Sequence, residues 1–203
     1  MAMIFQIDWV IEEPRWTDAR QVVRDHPLGS DYDRRNNAFW WLLSGELQFR
    51  HDDIVLFPRD RIRSSLERVR AGMMEMGDPW YSIPNRVGAT GMTFGMLDFV
   101  GQFLRIVEGL DGAGKNPAEV RFKERDGQRQ IGFGWIGDIV TISTNLYPDI
   151  RLHVPKSEFL PEAHRFLDEF ILSLDQHVPG ILAWESFARL RAYAQAHGLL
   201  TSE

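Results

Sequence analysis

The chain has 203 residues, 44% of them hydrophobic and 26% charged, with a formal net charge of −6 and no cysteine. These figures predict a folded domain rather than a disordered chain, and they exclude disulfides and thiolate metal sites. No apolar run is long enough to span a bilayer, and the acidic balance counts against a nucleic-acid binder, which needs cations to replace counterions.

The opening, MAMIFQIDWVIEE, has no basic leader and carries Asp8 inside its apolar run, so it reads as a poor signal peptide. A bacterial cytoplasmic protein is expected. Residues 3–11 are rich in Ile, Phe, Trp and Val and predict a first strand. The polar segment to residue 37 reads mostly as loop, with one helical turn near Thr17. After AFWWLL, the pair Ser44-Gly45 is expected to turn the chain into ELQFRHDDIVLF, where Leu47 and Phe49 alternate with polar neighbours as in a half-buried strand.

From Asp60 to Met76 the residues Ile62, Leu66, Val69, Met73 and Met76 form one apolar stripe, and Gly77-Asp78-Pro79 stops the expected helix. Residues 80–100 are ambiguous. QFLRIVEGL, from Gln102, alternates well enough to suggest a strand. EVRFKERDGQRQIGFGW carries Asp126-Gly127 between two alternating runs, a strong hairpin signal. A second turn at Gly137-Asp138 completes an expected three-stranded meander over residues 119–144, to which RLHVP adds another strand.

The period then changes. Phe159, Ala163, Phe166, Leu167, Phe170, Ile171 and Leu174 fall on one helical face, with Pro161 tolerated in a first turn. Pro179-Gly180 breaks the chain, and a last helix is expected from Ala183 to His197, closed by Gly198. One α+β domain over residues 1–203 follows: a mostly antiparallel sheet with a C-terminal meander and about three helices packed on one side.

Gly109, Gly114 and Lys115 have the spacing of a phosphate-binding loop, but Asn116 stands where Ser or Thr would hold magnesium. IVEGLDGAGKN resembles the amino-terminal phosphate loop of thymidylate kinases. That resemblance implies a nucleotide enzyme with Lys115 as phosphate ligand. Against it, EVRFKERDG reads as a strand where the loop requires a helix, and the remaining chain lacks alternating βα units. A Gly-rich turn between two strands is the expectation.

No other catalytic pattern stands out, and no metal or cofactor is expected. His164 and Asp168, one helical turn apart, suit an exposed hydrogen-bonded pair better than a metal site. Asp31 and Asp33 begin like a calcium loop, yet Asn36 and Leu42 break it. Arg59, Arg61, Arg63, Arg68 and Arg70 enrich the helix near residue 60. They suit a solvated face, with RNA binding as an alternative.

Binding candidates come from acidic and aromatic pairs. Asp52 and Asp53 make a polar bend; Trp40-Trp41 must point to opposite faces of a strand; Trp80-Tyr81 is a second aromatic pair. VPKSEFLPEAHRFLDEFILSLDQHVPGILAWESF resembles the uncharacterised bacterial immunity proteins that neutralise polymorphic toxins. The resemblance implies a non-enzymatic protein that occludes a toxin by direct binding, with Asp52, Asp53, Trp80, Tyr81 and one of Trp40 or Trp41 as contacts.

Overall fold

The computed structural model describes residues 4–26, 43–58, 60–61, 92–112, 119–123 and 130–200. The fold is α+β, with two antiparallel sheets rather than the one expected. In the first, β2 (Ser44–His51) pairs along its length with β1 (Phe5–Val10). Its other edge is shared by β3 (Ile54–Val55) at one end and β4 (Met92–Gly95) at the other. The second sheet is the expected meander with its extra strand: β5 (Glu119–Lys123), β6 (Gln130–Ile136), β7 (Ile139–Thr144) and β8 (Arg151–Pro155), in that order.

Lys123 faces Gln130, so the β5–β6 register centres between 126 and 127; the turn Asp126-Gly127 itself lies outside the described residues. The next turn is Gly137-Asp138, as expected. Ile136 pairs with Ile139, and Gly137 has φ 58°, a conformation that glycine adopts without strain.

Helix α2 (Met96–Asp111) corrects the strand expected from Gln102. Met96, Leu97, Phe99, Val100, Phe103, Leu104, Ile106, Val107 and Leu110 are all buried. Their steps of three and four cover one half of the helix, opposite Asp98, Gln102, Arg105 and Glu108, and starting the pattern at Gln102 cuts it in half. A run of that length is too long for a strand. Phe103 shows where α2 sits: its ring lies 6.4 Å from Phe49 on β2, 5.5 Å from Phe133 on β6 and 5.6 Å from Phe166. Both sheets therefore meet the same helix.

Phe166 belongs to α3 (Lys156–His177), whose predicted apolar face is fully buried from Phe159 to Leu174. Pro161 stands beyond the first turn, as the sixth residue of this helix. Its missing N–H leaves the Ser157 carbonyl without a helical donor. The C-terminal helix is shorter than expected: two 3-10 turns, Ile181–Ala183 and Glu185–Phe187, precede α4 (Ala188–Ala196). Gly198 ends it as predicted, with φ 66°, while the Leu199 and Gly198 N–H groups return to Ala194 and Gln195.

Two further corrections concern the N-terminal half. The loop expected before residue 37 contains α1 (Glu13–Asp25). Pro14 occupies its first turn, and Trp16, Ala19 and Val23 are buried at helical spacing, with Trp16 stacked 4.8 Å from the His177 ring. Ser44-Gly45 is not a turn but the start of β2. Gly45 permits a close approach: a Cβ there would lie 2.6 Å from the Val10 carbonyl oxygen and 2.7 Å from Ile11 Cγ1. Gln48, expected to face solvent, is buried; its amide donates to the Phe57 carbonyl and accepts from the Phe57 N–H. The stripe expected over residues 60–76 lies outside the described residues apart from helical Asp60 and Arg61.

Candidate protein-interaction surface

Asp52 and Asp53 form the two-residue turn between His51 and Ile54. Asp52 is the one non-glycine described residue with positive φ, at 54°, a conformation Asp tolerates better than most residues. Both carboxylates are exposed. The Asp52 N–H reaches back to the Ile4 carbonyl at 3.4 Å, which brings the turn beside the start of β1. Ile4 is 66% exposed and Ile54 51% exposed, so two large apolar side chains flank the acidic turn.

Beneath the turn, buried His51 places Nε2 3.6 Å from Glu158 Oε2, and neither atom has a hydrogen-bond partner among the described residues. Glu158 opens a row on α3. Glu158, Glu162, Arg165 and Glu169 follow steps of four, three and four, beside the helix's apolar stripe. With the outer edge of β1 this row bounds an open groove. One part, about 330 Å³, runs from Ile4 past Pro161; the next, about 410 Å³, follows β1 to Trp9.

The groove is structured by one clamp. Glu162 Oε1 accepts the Ile7 N–H at 2.6 Å, and Arg165 donates to the Ile7 carbonyl at 3.0 Å. Arg165 also bonds Glu162 and Glu169, which hold its guanidinium firmly protonated. Arg50 is paired with Asp8 at 3.0 Å. Both cations of this face are thus neutralised locally, while Asp52 and Asp53 have no such partner among the described residues. The face carries net negative charge around exposed isoleucines.

The structure places Asp52 and Asp53 together on this surface. Trp40, Trp41, Trp80 and Tyr81 lie outside the described residues. Ile4, Glu158 and Glu162 are missed by the sequence reading, although a signal exists. Ile4 shares the outward parity of Gln6 and Asp8 on β1, opposite the buried Phe5 and Ile7.

The phosphate-loop residues are arranged in reverse. Gly109 lies within α2, the helix ends at Asp111, and β5 follows; Gly114 and Lys115 lie outside the described residues. A phosphate loop needs a strand before it and a helix N-terminus after it. Here the preceding helix presents its C-terminal, partially negative end, and the expected turn between two strands joins a helix to a strand. Arg61, the one described member of the arginine cluster, is committed to Asp149, which it bonds at 2.7 and 3.0 Å. That pairing holds the Asp149 carboxyl below its ordinary range.

His164 and Asp168 are joined through Tyr193. His164 Nδ1 lies 2.8 Å from the phenol oxygen and Nε2 3.0 Å from Asp111, while Tyr193 donates to Asp168 at 3.0 Å. His197 stacks on Tyr193 at 3.9 Å. The cluster ties α2, α3 and α4 together. Among the described residues no three carboxylate or imidazole groups are gathered to hold a metal ion, and no helix is long and apolar enough to cross a membrane. No protein-family model, curated protein or solved structure matches the chain.

Proposed function

We propose that the protein acts by direct, stoichiometric binding of a basic protein partner, as a cytoplasmic immunity protein that neutralises a bacterial toxin domain. One observation carries this reading. The carboxylates of Asp52 and Asp53, unpaired among the described residues, lie between exposed Ile4 and Ile54, at the mouth of a groove whose described cations are already paired. Acidic rims steer basic partners, and exposed apolar side chains supply the area that desolvates on contact. A toxin's nucleic-acid-binding or catalytic cleft offers the complementary basic surface. The protein needs no turnover of its own to block it.

The test is protection of growth. The product of the neighbouring open reading frame is co-expressed with the chain, as wild type and as the Asp52→Lys, Asp53→Lys double variant. Protection by the wild type and its loss in the variant support the proposal. Turnover of a nucleotide by the purified protein, abolished by Lys115→Ala, would overturn it.

A further inference from the structure

We infer that the cluster around Tyr193 is a proton-dependent latch, which seats the C-terminal helix fully only when the His164 ring carries both of its protons. Three hydrogen bonds run in one chain: Asp111 to His164 at 3.0 Å, His164 to Tyr193 at 2.8 Å, and Tyr193 to Asp168 at 3.0 Å. Each bond needs one proton. Both ends of the chain are carboxylates, which only accept when ionised. A neutral imidazole brings one proton and the phenol another, so a neutral ring leaves two protons for three contacts. The imidazolium supplies the third. Its Nε2–H donates to Asp111, its Nδ1–H to the phenol oxygen, and the phenol O–H to Asp168.

The surroundings favour a charged ring. Asp111 is the last residue of α2 and Tyr193 lies in the last turn of α4, so the partially negative ends of two helices converge on His164. Burial, and then the bond to Asp168, hold the phenol pKa up, so Tyr193 keeps its proton wherever histidine titrates. His197, just past the end of α4, stacks 5.3 Å from the His164 ring and lies 3.9 Å from Asp168, beyond hydrogen-bond distance. Glu108, one turn before Asp111, faces Arg189 of α4 at 3.6 Å. When His164 loses a proton, one of the three contacts sets lone pair against lone pair, and the tie among α2, α3 and α4 loosens. The latch therefore adds stability below the histidine range, and that stability is lost as pH rises through it. It is independent of the toxin-binding reading.

The experiment follows amide hydrogen exchange of the full chain between about pH 5 and about pH 8, corrected for the intrinsic effect of pH, beside the ring nitrogen shifts of His164. Protection at Leu190, Tyr193 and Ala194 should fall about tenfold or more over that interval, the value of one charge-assisted hydrogen bond, while the β6–β7 amides hold. The ring should pass from two protons to one over the same interval. His164→Gln offers one donor group and does not titrate, so it should begin with weaker α4 protection and show no fall. His197→Gln should keep the fall. Protection of α4 that ignores pH, a single proton on the His164 ring throughout, a fall retained in folded His164→Gln protein, or a fall abolished by His197→Gln would overturn the latch.

Discussion

Glu162 accepts the main-chain N–H of Ile7 at 2.6 Å, across a sequence separation of 155 residues. An exposed sheet edge is a template for pairing with other chains. With Arg165 on the Ile7 carbonyl, the clamp occupies the middle of β1's outer edge with side chains instead of a strand. Glu162→Ala is therefore expected to cost about 1–3 kcal/mol, because a part-buried donor loses its acceptor. It should also raise self-association. Urea titration and light scattering check both effects; a variant of wild-type stability that stays monodisperse would show the clamp to be incidental.

Two glycines should respond in opposite directions. Gly45→Ala drives a Cβ against the Val10 carbonyl oxygen and Ile11, with Met96 Cγ only 2.9 Å away. Overpacking of this kind costs about 1–3 kcal/mol. Gly101→Ala meets nothing and improves helix propensity, so a gain of about 0.5–1 kcal/mol is expected. Thermal melts of the two single variants should move apart from the wild type in opposite senses.

The Tyr193 phenol supplies a pH signature. Burial, and then its hydrogen bond to Asp168, hold its pKa above the ordinary phenol range. A folded pKa raised in this way contributes stability that is complete below about pH 10, where the unfolded phenol is also neutral. The contribution is lost as pH rises from there through the higher folded value. Tyr193→Phe should lower stability at neutral pH by about 1 kcal/mol. The gap to wild type should narrow above about pH 10. Denaturant titrations across the alkaline range check this, and a constant gap would contradict the assignment.

The apolar face of α3 gives the largest expected loss. Phe170 is fully buried, with its ring 6.2 Å from Phe166 and 5.4 Å from Trp9 on β1. Phe170→Ala should cost about 3–5 kcal/mol. A loss under about 1 kcal/mol would mean that the site collapses or that the face is not core.

The meander and α3 are legible in the sequence because each repeats one period without interruption. Ile131, Phe133, Val140 and Ile142 alternate inward, and Phe159 to Leu174 hold a helical stripe. α2 is misread because the reading starts at Gln102, inside the helix, and the remaining half of its amphipathic pattern passes for the alternation of a strand. α1 is missed because Trp16, Ala19 and Val23 are its only buried residues and its polar composition resembles loop. The acidic turn is legible as a bend, since Asp52-Asp53 separates two apolar runs. The groove behind it is not, because Ile7 and Glu162 meet only through the tertiary fold.

The most direct test of the binding account is the association rate of the purified protein with its cognate toxin domain, measured for wild type and for the Asp52→Lys, Asp53→Lys double variant at low and high salt. Exposed rim charges act mainly on encounter. The account predicts an association rate for the variant lower by about tenfold or more at low salt, a gap that shrinks as salt screens the surface, and an unchanged melting temperature. Equal rates and equal affinity for the two folded proteins would contradict the assignment of the partner to this surface.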